Sequence, residues 1–585
     1  MGAPQTLNWD LGYGATQRAR YERLFSSLQG ERASFEPHWR DLGDYFAPRR
    51  TRFWTGNKNK GDPRSQKIYD STGRFAARTL QSGLHAGLTS PARPWMRLTT
   101  PDPKLAEYGP VQAWLHELTQ RMLTVFAQSN LYNALPVSYG DFGIFGTAAM
   151  SILDDTKDLF RARTYPIGSY VVGMDTRDQV QTFGREYQLT VRQIVEQFGN
   201  AGAPLRRGQM IDWSTISLTV KKLWDTGDYE AGVDVRWFVT PNEHADDRKL
   251  AARYLPFSSC YWEQGDNREN IFLRQSGFKR FPIMVSRWEI TGEDSYGVDC
   301  PGMTALPDQK QLQIMEREKG KAIKKMIDPP MVAPTSLRTQ KTSILPGDVT
   351  YVDVREQMAG FRAAHEVRID LSHLLEDEQA VRYRIQRAFY EDLFLMLASY
   401  DPTRGPQKTA REIEERHEEK LLALGPVLER TNDELLDPLV DRVFQMMLDN
   451  GLVETPPDEL QGVELKVEYI SVMAQAQKLV GVTQIDRFVQ STLPMVEFFP
   501  EIRRKININK IVDNYSELLG GDPGMVVPTD EAERAQSADQ QAQQAMAAAE
   551  SAGTMAKGAR DLSQAPLEQG GTALDAITRG MGAAV

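Results

Sequence analysis

Hydrophobic positions recur at three- and four-residue spacing early in the chain, at Tyr21, Leu24, Phe25 and Leu28, and the pattern resumes after Phe35. That period predicts helices over Ala15–Leu28 and Phe35–Phe46. Asp70-Ser71-Thr72 supply N-cap side chains ahead of Ala76, Leu80 and Leu84, so another helix is predicted to stop near Ser90-Pro91. Val111–Phe126 and Leu131–Phe142 carry the same period. From Ala148 to about Arg185 the pattern changes to short β-rich runs, SIL, RTY, SYVVG and QTFGREY, separated by Asp-rich turns. Thr190–Phe198 returns to helix. Residues 214–288 then supply ISLTVKKLW, VDVRWFV, ARYLPFSSCYW and FPIMVSRWE, all predicted as strands. These strands cluster instead of alternating with helices, which predicts an α+β body and argues against a doubly wound nucleotide fold.

A different pattern starts near Tyr296. Pro301, Gly302 and Pro307 lead into Asp308, and an uninterrupted helix is predicted from there to about Ile327, stopped by Asp328-Pro329-Pro330. At 100° per residue, Leu312, Met315, Ala322, Ile323 and Met326 share one face. Lys310, Arg317, Lys321, Lys324 and Lys325 share the opposite one. Twenty helical residues make a rod of about 30 Å. Residues 331–368 hold a small β-rich excursion, and a second long helix is predicted from Ser372 through Val381, Ile385, Phe389 and Leu393 to about Ala398. Two long helices bracketing a small β unit describe a stalk with a tip. Ser399–Lys408 is a loop rich in turn formers, with Arg404 and Lys408 in it. Thr409–Leu448 is predicted as one long helix kinked at Gly425-Pro426 and Asp437-Pro438. Residues 463–519 read as helical, and 528–585 form an Ala/Gln-rich tail with little to bury.

Composition narrows the function classes. The 585 residues, 41% hydrophobic and 25% charged, suit a soluble chain of several structural units. No apolar run approaches the ~18 residues of a membrane span, and MGAPQTLNWD lacks the pattern of a secretory signal, so neither membrane nor export is expected. Two cysteines, Cys260 and Cys300, exclude a disulfide framework and a four-cysteine zinc site. Sixty-nine basic against 79 acidic residues, net −10, argue against a protein that grips nucleic acid over its whole surface.

Recognisable catalytic chemistry is not found. Gly320-Lys321 sits inside a helix and is followed by Ala322, so it is no phosphate loop, and G-x-S-x-G and H-E-x-x-H do not occur. Seven scattered histidines have no metal-ligand spacing. No catalytic residue, metal ligand or cofactor is therefore assigned. Gly140, Gly143 and Gly146 follow a helix at three-residue spacing and read as close packing or a helix end. One local departure stands out: between Arg40 and Arg97, twelve Lys/Arg face four Asp. Its two readings are a surface that pairs with acidic patches elsewhere and a contact with phosphate.

Four stretches together resemble a known family. IYDSTGRFAARTLQSGLHAGLTSPARPWMRL at Ile68–Leu98 is similar to the N-terminal signature of the head-to-tail connecting (portal) proteins of short-tailed bacteriophages. YGVDCPGMTALPD at Tyr296–Asp308 and IDPPMVAP at Ile327–Pro334 resemble the start and end of that family's first stem helix. TAREIEERHEEK and LGPVLERTNDELLDPLVDR, within Thr409–Leu448, resemble its long kinked helix. The matches keep the family's order over roughly residues 30–460.

The resemblance implies a portal-type ring subunit with an α+β wing, a two-helix stem, a small β-containing clip and a helical crown. The expected boundaries are wing 1–294, first stem helix 295–330, clip 331–368, second stem helix 369–398, tunnel loop and kinked wing helix 399–460, crown 461–527 and tail 528–585. It implies a homo-oligomer of about twelve copies at one capsid vertex of the virion, assembled in the host cytoplasm. Its partners would be the terminase large subunit, a tail adaptor protein, the major capsid and scaffolding proteins, and double-stranded DNA passing without sequence specificity. The portal of this family is not itself an enzyme. Arg404, Lys408, Lys310, Arg317, Lys321, Lys324 and Lys325 become candidates to face DNA in the channel. Leu312, Met315, Ala322, Ile323 and Met326 become candidates to pack subunits in the stem. Two alternatives stand beside this reading: another ring of the tail assembly, adaptor or nozzle, and a phage DNA-processing enzyme.

Overall fold

The computed structural model describes residues 16–333 apart from positions within 54–63 and 103–107 and at 156, 247, 250, 267 and 269. It further describes 335, 338, 362–363, 372–399, 424–470 without 461 and 464, 511, and 541–560 without 548, 550, 558 and 559. The chain divides into two compact units, Met1–Ala474 and Gln475–Val585. In the second, residues 541–547 and 551–557 are helical. No described helix is long and apolar enough to cross a membrane.

The first unit opens on one helix, Gln17–Tyr45, where two were expected. Pro37 lies inside it and forfeits a backbone hydrogen bond. Phe25 and Leu28 before it, and Trp39 and Leu42 after it, are all buried, so tertiary packing carries the helix across the proline. Phe25 and Leu28 pack on Phe238 and Trp262, on one face of a five-stranded antiparallel sheet. Its strands, in order, are Tyr170–Met174, Val180–Thr190, Gly232–Pro241, Phe257–Glu263 and Arg274–Phe278. A three-stranded sheet places Thr147–Asp155 between Leu159–Tyr165 and Ile283–Arg287.

The run LTVKKLW, predicted as strand, is the helix Leu218–Asp225. Ser217 caps it, its hydroxyl accepting from the Val220 N–H at 3.2 Å, and Val220 is buried among Val191, Ile194 and Val235. The cap and that single buried contact outweigh the β-branched local preference. The helix expected over Thr190–Phe198 is present as Val191–Phe198, and the structure shows that a complete capping box of Thr190 and Gln193 starts it.

Thr72–Leu88 and Leu131–Phe145 pack against each other closely. A Cβ on Gly143 would strike Leu80, and one on Gly140 would lie 2.9 Å from Gln81 Oε1, while Gly146 ends its helix at φ +73°. The three-residue glycine spacing is thus helix packing and a helix stop.

Later elements differ from expectation at several points. The helix predicted from Asp308 begins at Pro301, because Gly302, Ala305 and Leu306 are buried in the body and hold its first turns across Pro307. The second long helix is two pieces, Ser372–Ala388 and Glu391–Ser399, broken at Tyr390 with φ +54°. Of Thr409–Leu448, residues 409–423 lie outside the described residues. The remainder runs from Gly425–Thr431 through a π-helical turn, Asn432–Leu436, into Asp437–Asp449. The Asp437 N–H bonds to Asn432 five residues back, so the ladder widens just before Pro438, which has no N–H to give. Lys466–Tyr469, expected helical, is a strand paired antiparallel with Met96–Thr99. In the 331–368 excursion, Met331–Val332 pairs with Arg362–Ala363, and most of the rest lies outside the described residues.

Candidate functional site

Pro301 opens its helix in the first turn, where its missing N–H costs nothing. A Cβ at Gly302 would meet the Ile144 backbone, so glycine is what lets the helix start against Leu131–Phe145. Gln313 then anchors it. Its amide oxygen accepts from the Tyr69 and Asp70 N–H groups at 2.5 and 2.8 Å, and its Nε2 donates to the Asp70 carbonyl at 3.0 Å. The helix Pro301–Ile327 is thereby tied to the start of Thr72–Leu88.

Charged side chains join this helix to Ser372–Ala388. Lys319 lies 2.6 Å from Glu378 and 2.8 Å from Glu316. Arg382 reaches Asp70 at 3.1 Å and also Glu316, and Arg384 pairs with Asp308 at 2.9 Å. Glu378 is fully buried, and its Oε1 has no hydrogen-bond partner among the described residues. Burial by itself would raise the Asp70 carboxyl, but hydrogen bonds from Thr72 and the Arg382 guanidinium hold it below the usual carboxylate range. Burial likewise pulls the Lys319 ammonium down, and Glu316 and Glu378 more than restore it. Such a buried network favours one mutual placement of the two helices.

Beyond Gln313 the helix emerges. Met315 and Ala322 are half-buried, and Ile323, Met326 and Ile327 are exposed, Ile327 at 79%. Leu312, expected to meet a neighbouring chain, is instead wholly covered by its own. Periodicity identified the apolar face correctly, but the body takes its first turns. On the opposite face, Lys310 turns to Asp41 at 2.6 Å, and Arg317 and Lys321 both reach Glu318, at 3.2 and 2.8 Å. Lys324 and Lys325 are exposed and make no ion pair among the described residues. Arg404 and Lys408 lie outside the described residues.

The basic segment Arg40–Arg97 is partly consumed inside the chain. Arg50 Nε donates to Asp141 at 2.8 Å, Lys67 pairs with Asp44 at 2.7 Å, and Arg97 pairs with Glu468 at 2.7 Å. Asp141 is buried, and that burial raises its carboxyl although Arg50 opposes the shift. For these three cations, pairing with acids is the correct reading.

Some features had no sequence signal. Tyr390, in the left-handed region, lines a cleft of about 500 Å³ together with Trp288, Asp299, Asp308, Arg384 and Arg387. A bulky residue in that conformation stands out only once the backbone is known. The described residues contain no His, Cys, Asp and Glu group able to hold a metal ion. Burial pushes the Cys260 thiol up to about 11 and Cys300 up to about 12, which leaves both poor nucleophiles near neutrality.

The family described as Bacteriophage head to tail connecting protein matches residues 18–526. The chain is 43% identical over 573 residues to the "Portal protein" of Salmonella phage epsilon15, covering 97% of this chain and 99% of that one. It is 41% identical over 546 residues to the "Probable portal protein" of Bordetella phage BPP-1, covering 93% and 95%. Among solved structures, the neck of an empty GTA particle covers 77% of this chain and 92% of its own, at 11% identity and a TM-score of 0.31. With a family match over most of its length and two portal relatives above 40% identity, the chain belongs to the bacteriophage head-to-tail connecting, or portal, proteins.

Proposed function

We propose that the chain is the repeating subunit of a closed ring, about twelve copies of 66.1 kDa, set at one vertex of a phage head. Kinship over almost the whole chain with two phage portal proteins is the observation that carries this reading. In it, residues 1–294 and 399–460 form the wing, the helices within 295–330 and 369–398 the stem, and 331–368 the clip. The crown follows within 461–527, after the strand Lys466–Tyr469 that joins the body. The ring passes double-stranded DNA inward during packaging and outward at ejection, and it performs no catalytic step. It docks the terminase large subunit, then the tail adaptor, and starts assembly of the capsid and scaffolding proteins.

Charge supports passage over grip. DNA carries one charge per ~1.7 Å, so a stem of about 30 Å surrounds roughly 18 phosphates at once. A wall that neutralised many of them would hold the duplex in place. Here Lys310 pairs with Asp41 while Arg317 and Lys321 share Glu318, so Lys324, Lys325, Arg404 and Lys408 are the foremost candidate phosphate contacts. Electron microscopy of the purified full-length chain tests the reading. Closed rings with about twelve-fold symmetry are expected, and particles without rotational symmetry would overturn it.

A further inference from the structure

Gln17–Tyr45 covers one face of the five-stranded sheet. The other face carries an arginine with no acid beside it among the described residues. Arg185 sits opposite Tyr170 on one neighbouring strand and Trp237 on the other, and Tyr261 and Arg274 continue the same row. Directly paired residues share a face, so all five belong to this side. The Arg185 guanidinium lies 4.6 Å from the Tyr165 ring centre and 4.6 Å from that of Tyr187. The residue is 4% exposed.

Ring faces cover the plane of a guanidinium, but its N–H donors point outward within that plane. Arg185 Nε has no hydrogen-bond partner, and no carboxylate pairs with Arg185, among the described residues. Tyr165, which also hydrogen-bonds the guanidinium, and Tyr187 favour its charge, while Arg163 and Arg52 oppose it. Burial first, then Arg163 and Arg52, push its pKa down to about 10. Arg163 also lies over Tyr165, at 5.9 Å, and is exposed, while Tyr187 and Tyr261 are half-buried. The result is a nearly covered cation between tyrosine rings, with a second, exposed cation over one of those rings. A buried charge in that setting is costly until an anion completes it.

We propose that Arg185 and Arg163 form an oxyanion receptor, and that its occupant is a side-chain carboxylate from a second copy of this chain. The occupant rests on the ring reading above. Shape favours it: a duplex presents its phosphates on a broad rigid cylinder, whereas an Asp or Glu carboxylate stands on a thin stem that can approach a guanidinium only 4% exposed. Charge favours it too, because a second copy brings 79 acidic against 69 basic residues. Arginine and carboxylate match in a planar, two-bonded geometry that fixes direction as well as contact. Each copy gives one carboxylate and receives one, which is a head-to-tail contact.

The test uses the full-length chain. Arg163→Glu reverses the exposed charge, and Arg185→Met removes the buried charge while keeping most of the volume. With far-ultraviolet spectra unchanged, both variants should need about tenfold higher concentration for half-assembly by mass photometry. Assembly at the wild-type concentration by a folded variant overturns the proposal, and Arg163→Glu decides alone if Arg185→Met does not fold. Loss of binding to a short DNA duplex with assembly unchanged would assign the anion to nucleic acid and reject the second copy. If the wild-type chain stays monomeric, the ring reading has failed, and inorganic phosphate then probes the receptor by itself. Phosphate should raise the melting temperature of the wild type more than that of Arg163→Glu; equal shifts overturn the receptor.

Discussion

Arg287 holds Glu434 at 2.5 Å through Nη2 and 3.0 Å through Nε, tying the end of Ile283–Arg287 to the π-helical turn 147 residues later. The Arg287 N–H also donates to Glu434 at 2.7 Å, and the guanidinium donates to the Asp178 and Asp294 carbonyls at 2.8 Å each. Burial raises the Glu434 carboxyl even so, with Arg287 opposing. Removing one partner strands a buried charge. Arg287→Met is therefore expected to lose about 3–5 kcal/mol in chemical denaturation, and adding Glu434→Leu should restore part of that loss. A single variant as stable as the wild type would remove this pair as a tie between the sheet and the later helix.

Two glycines of one helix should respond oppositely to alanine. At Gly302 a new Cβ meets the Ile144 backbone, which cannot swing aside, whereas nothing lies within 4 Å of one at Gly320. Gly302→Ala should destabilise by about 1–3 kcal/mol through overpacking. Gly320→Ala should stabilise by about 0.8–1 kcal/mol through helix propensity. Thermal melting of the two variants side by side checks both signs.

Asp70 sets an acid dependence. Its folded pKa is lowered, so the unfolded value of about 3.9 is the higher of the two. The stability its charge supplies is then complete above that value and lost as the pH falls through the folded pKa. Asp70→Asn keeps an oxygen for the Thr72 N–H, which Asp70 Oδ1 accepts at 2.7 Å, and loses the charge facing Arg382. The variant should melt below the wild type at neutral pH, and the gap should narrow as the pH falls below the unfolded value of about 3.9 and close once it has passed the lowered folded pKa. A gap of constant size would mean that hydrogen bonding, not charge, is what Asp70 contributes.

Lys324 and Lys325 are exposed and make no ion pair among the described residues, so replacing both with alanine should leave the melting temperature within about a degree of wild type. Phosphate contacts carry no sequence information, so packaging of any DNA should be affected alike, with a defect that changes with salt. The same outcome is expected for Arg404 and Lys408. Packaging and retention equal to wild type at every ionic strength would exclude these lysines from the channel wall.

Local chemistry by itself determined a good part of this protein. The helix after Thr190, the stop at Asp328-Pro329 and the clustered strands need only neighbouring residues, and they were readable as such, while the spacing of Gly140 and Gly143 pointed to close packing whose partners, Leu80 and Gln81, only the fold supplied. The order of distinctive segments was enough to identify the family, because order and residue identity survive without coordinates. What covers each apolar face was a tertiary matter. Periodicity reports that a stripe is apolar, but Leu312 is buried by its own body while Ile323 and Met326, on the same stripe, are exposed. Helix across Pro37 and helix at Leu218–Asp225 both went against local preference, because buried contacts from distant residues outweigh the cost, about 3 kcal/mol at an interior proline and a few tenths of a kcal/mol at a β-branched position. The same holds for Lys466–Tyr469, whose strand exists because Met96–Thr99 offers it an edge. Charges depended most on the fold: nothing near Arg287 or Arg185 in sequence says that the first is matched to Glu434 and the second, among the described residues, to no acid, because Coulomb partners are chosen by proximity in space.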